Sequence, residues 1–135
     1  MESMKYFTIN ELCRSNTAQH MGIRNEAPAE ARNNLTALTL AVLDPLREAW
    51  GSPISVNSGY RCKALNKAVG GSPTSHHLRG MAADITTGNR VDNRRLFQLV
   101  QNLGLKFTQL IDESDFRWIH ISYDSTDLRG EILKL

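Results

Sequence analysis

Cysteine is scarce in this chain. The 135 residues hold two, Cys13 and Cys62, which form no Cys-x-x-Cys pair and fall far short of the density of a disulfide-stapled domain. Their placement demands no oxidising compartment, and free thiols are expected. Long apolar runs are also missing: no stretch approaches the ~20 residues that span a bilayer, and "MESMKYFTINEL" has no apolar signal core. No membrane partner is expected. The expectation is a chain made in the cytoplasm that reaches any target outside it only by release or delivery. Neither sign of charge dominates, since 16 basic and 14 acidic side chains leave a net charge of +2. The densest basic run, "NRVDNRR" at 89–95, opens a predicted helix and lacks interleaved aromatics, which argues against nucleic acid as a partner. Repeats, linkers and low-complexity segments are absent. A chain of this length supports one hydrophobic core, so a single domain over residues 1–135 is expected. The expected state is a monomer.

The elements that are present read in order. Thr8 followed by Glu11 forms a capping box that starts a short helix over "INELCRS", and a polar stretch then runs to Pro28. Leu35, Leu38, Val42, Leu46 and Trp50 recur at spacings of three and four, the stripe of a long helix with one buried face. Pro45 should kink that helix and "GSP" at 51–53 should end it. "ISVNSGY" alternates as a strand, and "RCKALNKAVGGSPTS" gives a helical turn and a Gly-Gly loop. After a second strand, "MAADITT", Asp92 is expected to cap a helix whose Leu96, Leu99, Val100 and Leu103 share a face and which stops at Gly104. Strands "KFTQLID" and "RWIHISY" flank an acidic turn. The whole predicts an α+β fold, a small antiparallel sheet backed by helices.

Chemistry concentrates in "SHHLRGMAAD" at 75–84. Imidazole nitrogen and carboxylate oxygen are zinc ligands, and a catalytic zinc keeps one position open for water. Six residues separate His77 from Asp84, so the chain must bend between them, and Gly80 supplies the bend. On the following strand, Ala82, Asp84 and Thr86 share one face while Ala83 and Ile85 point to the core. In "WIHIS", His120 shares a face with Trp118 and Ser122, opposite Ile119 and Ile121. A third ligand is therefore available on a neighbouring strand. Spacing alone does not separate this reading from ordinary hydrogen-bonded histidines beside a turn-capping aspartate.

The run Ser75-x-His77-x-x-Gly80-x-Ala82-x-Asp84, followed by Trp118-x-His120-x-Ser122, resembles the signature of the zinc D-alanyl-D-alanine carboxypeptidase family. That family also contains phage L-alanyl-D-glutamate endolysins and D-alanyl-D-alanine dipeptidases. The likeness extends upstream through "SGYRCKALNKAVGGSPTSHH" and more loosely through "VLDPLREAWGSPI". It implies the small α+β fold shared with hedgehog signalling domains, and zinc held by His77, Asp84 and His120.

By the same resemblance, the protein would hydrolyse D-amino-acid-containing stem peptides of bacterial peptidoglycan, as a carboxypeptidase or as a phage-type endolysin. Relatives place an acidic base about three residues before the last histidine, where this chain has Arg117. Glu113 resembles the base of a closer subgroup, with Asp115 and Asp112 as alternatives. Arg61, in "SGYR", resembles the arginine that binds a substrate carboxylate or polarises the scissile carbonyl. Ser75 and Trp118 would contact substrate, and Ser122 would fix His120. His76 stands where glutamine is expected and is assigned no role. The departure at Arg117 leaves a second reading, a non-catalytic, metal-stabilised wall-binding module of the same fold.

Overall fold

The computed structural model describes residues 3–135; Met1 and Glu2 lie outside the described residues. Helices come first. Thr8 accepts a hydrogen bond from the Glu11 amide at the start of α1 (Ile9–Cys13), as the capping pattern predicts. Ser15 does the same for the Ala18 amide at the start of α2 (Asn16–Met21), a helix inside the stretch that the sequence marks only as polar. Its signals, a serine cap and Gly22 in the left-handed region at the other end, bracket only six residues.

The long amphipathic helix breaks into α3 (Ala29–Leu38), a π-helical segment over Thr39–Leu43 and α4 (Asp44–Trp50). Pro45 is the physical reason. It has no amide hydrogen for the preceding turn, and the Asp44 amide reaches back to the Thr39 carbonyl in the wider π register. The kink expected at Pro45 is thus absorbed in the turn before it. Leu35, Leu38, Val42 and Leu46 all lie fully buried in the core.

The sheet has five strands in the order β1-β2-β4-β3-β5: β1 (Ser55–Ser58), β2 (Ala82–Thr86), β3 (Gln109–Glu113), β4 (Trp118–Ser122) and β5 (Glu131–Lys134). The first four pair antiparallel, as expected. β5 was not expected, and it runs parallel to β3, so the sheet is mixed. β5 is a four-residue edge strand with half-buried and exposed residues alternating, too short and too polar for a sequence pattern to reveal. Between β1 and β2 lie α5 (Lys63–Ala68) and a 3₁₀ turn over His76–Arg79.

One face of the sheet carries Ala83, Ile85, Leu110, Ile119 and Ile121 into the core beneath the N-terminal helices and α6 (Arg90–Asn102). The cap of α6 is Asn89, whose side chain accepts from the Asp92 amide; Asp92 sits inside the first turn instead of capping it. Leu96 and Val100 are fully buried, but Leu103 is 41% exposed because the helix ends there and its last turn overhangs the core. No helix among the described residues is long and apolar enough to cross a membrane.

Gly80 marks the tightest approach of the site-bearing turn to the helices. Its φ is +73°, and a Cβ there would overlap the carbonyl oxygen of Ala31 on α3. Gly80→Ala is expected to destabilise the fold by about 2–4 kcal/mol, combining left-handed strain with a backbone clash. Thermal or denaturant unfolding checks this, and an unchanged midpoint would refute the account of the turn.

Candidate metal centre and cleft

The polar face of the sheet builds the site by register. Asp84 on β2 lies directly opposite His120 on β4, and Ser58 on β1 lies opposite Asp84. On β3, Ile111 faces His120 and Glu113 faces Trp118. Strand alternation turns all of these away from the isoleucine face. His77 arrives from the 3₁₀ turn, where Ser75 caps the turn by accepting from the His77 amide.

Three side chains then converge. His77 Nε2 is 3.2 Å and His120 Nδ1 3.0 Å from the same Asp84 oxygen, Oδ1, and the imidazole rings meet edge to face at 5.1 Å. One potential ligand atom from each residue lies within 4.8 Å of the others. His77 is 2% exposed, with Asp84 and His120 nearly as deep. His76, its neighbour, also lines the cleft but contributes no atom to this group.

A backbone group fixes the tautomer of His77. Nδ1 stands 2.6 Å from the Gly59 carbonyl, which can only accept, so Nδ1 carries a hydrogen and Nε2 is the ring atom left to meet Asp84. Nε2 faces a carboxylate oxygen at 3.2 Å: as an imidazolium it donates to that oxygen, and as a neutral ring it offers a lone pair that a cation between them would take up. Nitrogen and oxygen ligands suit a transition metal better than calcium or magnesium. The residues therefore fit zinc.

The other Asp84 oxygen is held from behind. Arg61 approaches Oδ2 at 3.4 Å through one terminal nitrogen, while its Nε donates to Ser58 Oγ at 3.0 Å and its other terminal nitrogen to Asn66 Oδ1 at 3.2 Å. Burial alone would push the Asp84 carboxyl up, but hydrogen bonds from His120 and His77 outweigh it and hold the group ionised, below the usual carboxylate range. Arg61 is thus a built part of the site, largely buried and fixed at three of its nitrogens.

A cleft of about 450 Å³ opens over the cluster, and Arg61, Ser75, Glu113 and Trp118 all line it. Of the three acidic residues considered for a base, only Glu113 does so. Asp112 turns to the opposite face, is 3% exposed and accepts the Phe116 amide at 2.6 Å, closing the turn. Asp115 is exposed on that turn with φ +57°. Burial and the Asp84 charge both push the Glu113 carboxyl above its ordinary value. Arg117 is exposed and does not line the cleft.

Ser122 departs from its expected part: its hydroxyl accepts from the Gln109 amide at 3.0 Å and reaches no imidazole. Other participants were not legible. The Gly59 carbonyl, the buried Asn66 that braces Arg61, and Arg129 on the cleft wall follow no motif. Arg129 is drawn to the cleft by Asp127 and by Glu131 on β5, the strand the sequence hides.

A buried His-Asp-His cluster at the foot of an open cleft, with a carboxylate at its rim, has the donor set that metallohydrolases use. Comparison with known families narrows this. The family model described as Peptidase M15 matches residues 5–122, from before α1 to the end of β4, and the chain belongs to that family. All three members of the cluster, Glu113 and Arg61 fall inside the match, whereas β5 and Arg129 lie beyond it. The chain is also similar to the zinc D-Ala-D-Ala carboxypeptidase of Streptomyces albus G, with 38% identity over 85 residues, 62% of this chain and 32% of that protein. It therefore spans about a third of the length of that curated relative.

Proposed function

We propose that this domain is a zinc-dependent peptidase acting on stem peptides of bacterial peptidoglycan, with His77 Nε2, Asp84 Oδ1 and His120 Nδ1 as the metal ligands. The observation that carries the reading is the buried convergence of one ligand atom each from His77, Asp84 and His120 within 4.8 Å, with His77 held at Nδ1 by the Gly59 carbonyl so that Nε2 turns to the cluster. Zinc, when bound there, would polarise the scissile carbonyl and lower the pKa of water toward ~7.

The chain's own groups do the rest. Glu113, partly withdrawn from water on the cleft wall, takes a proton from the attacking water and delivers it to the leaving amine. Arg61 keeps Asp84 turned with Oδ1 toward the histidines and adds positive charge beside the developing oxyanion. Ser75 and Trp118 border the substrate's path. Likeness to a D-Ala-D-Ala carboxypeptidase favours removal of a terminal D-alanine, with internal cleavage of the stem by a phage-type lysin as the close alternative. Such a lysin would act on the wall after release or delivery from the cytoplasm.

Incubating zinc-loaded protein with purified peptidoglycan and weighing the fragments tests the proposal. Stoichiometric metal with no fragment from any muropeptide would select the non-catalytic wall-binding module instead, the reading favoured by Arg117. The two cleavage modes separate on one substrate pair. A stem pentapeptide with its C-terminal carboxylate blocked as the amide is expected to be cut at least about tenfold more slowly than the acid, because the amide forfeits a charge-assisted hydrogen bond to an arginine of the cleft wall, worth about 1.5–3 kcal/mol. Equal rates, with fragments from an internal bond, would establish the endopeptidase.

A further inference from the structure

Arg61 lines two openings. One is the cleft over the histidine cluster; the other is a second, larger cavity of about 600 Å³ that adjoins it at this residue. β1 forms one side of the second cavity through Ser55, Asn57 and Ser58, and Arg14 stands on the other side, at the end of α1. Its lining contains two guanidinium groups, several hydroxyls and amides, no carboxylate and no aromatic ring.

Two features point to what it takes. Arg61 has Asp84 as its counter-charge, whereas Arg14 is exposed and pairs with no carboxylate among the described residues, so the cavity carries uncompensated positive charge. β1 is an edge strand, and an extended peptide can add to such an edge by main-chain hydrogen bonds. A sugar ring would want an aromatic platform, which the lining lacks.

We propose that this cavity is a subsite for a carboxylate-bearing residue of an extended peptide substrate, remote from the scissile bond and held by Arg14. The proposal rests on the stem-peptide reading of the cleft, because a stem peptide carries such a group in the free α-carboxylate of its D-glutamyl residue. A guanidinium can grip it with two parallel hydrogen bonds. The cleft would then select substrates by a feature several bonds away from the one it cuts.

The test separates this proposal from the reading it rests on. Hydrolysis of a stem pentapeptide by the wild-type protein reports on the proposed function alone. The subsite is read by calorimetric binding to the zinc-loaded Glu113→Gln protein, using that pentapeptide with its glutamyl carboxylate free or amidated. The free acid is expected to bind about tenfold more tightly, the value of one charge-assisted contact. Adding Arg14→Ala should bring the acid down to the affinity of the amide, Arg14→Lys should restore part of the preference, and Asn57→Asp should weaken the acid more than the amide. Equal binding of acid and amide without any cavity substitution overturns the proposal. So does an Arg14→Ala protein that loses both peptides alike, or a peptide-free disaccharide whose binding Arg14→Ala abolishes, which would make the occupant glycan.

Discussion

Replacing His77, Asp84 or His120 by alanine is expected to abolish stoichiometric zinc, while His76→Ala protein keeps one zinc per chain. Each of the three residues supplies one of the converging ligand atoms, and removing a ligand outright should exceed the roughly 10–100-fold affinity loss that follows from losing an outer partner. His76 shares the 3₁₀ turn with His77 but lies outside the group of converging atoms, so its loss removes no ligand atom. Elemental analysis of protein purified without chelator, beside an unfolding curve for each variant, gives the result. Metal retained by His77→Ala and lost by His76→Ala would overturn the register of the turn. Zinc should also raise the unfolding midpoint in a concentration-dependent way, since a ligand that binds only the folded chain stabilises it by mass action.

Glu113→Gln is expected to keep fold and zinc and to lose about 10²–10⁴-fold in turnover, the usual value of a general base. The amide preserves the shape of the side chain and cannot take a proton. The limb of the pH–rate profile on which activity falls with decreasing pH, as Glu113 takes up its proton, should vanish with it. Burial and the Asp84 charge both oppose ionisation of Glu113, so protonation sets in at a higher pH than for a free carboxylate. An unchanged rate in this variant, together with an inactive Asp115→Asn protein, would move the role to Asp115 and require the 113–117 turn to rearrange around substrate.

How much of this was legible depends on whether the information was local. Asp84 and His120 sit on β-strands, where alternation assigns faces without knowledge of the fold, and the isoleucines that flank His120 made its polar face readable. His77 sits in a 3₁₀ turn, where alternation means nothing, and only the family signature distinguished it from His76. Arg61 was found for the same reason, but its hold on Asp84 was hidden because Ser58, Asn66 and Asp84 meet only in three dimensions. Asn93 was hidden too. It is fully buried on α6, and its amide hydrogen-bonds Thr86, the Thr87 amide and the carbonyls of Phe116 and Arg117, tying the end of β2 to the turn between Glu113 and Trp118. Within the pattern of its helix it reads as one more polar residue.

The bond from His77 Nδ1 to the Gly59 carbonyl reaches further than the tautomer it sets. Gly59 lies so close to α1 that a Cβ would overlap the Leu12 carbonyl, and the next amide, Tyr60, donates to that same carbonyl at 2.9 Å. The clamp on this proposed metal ligand is therefore anchored in the first helix, more than sixty residues earlier. Undocking of that segment would free the Gly59 carbonyl and loosen His77, so zinc affinity should report, from a distance, on whether the first helix is seated.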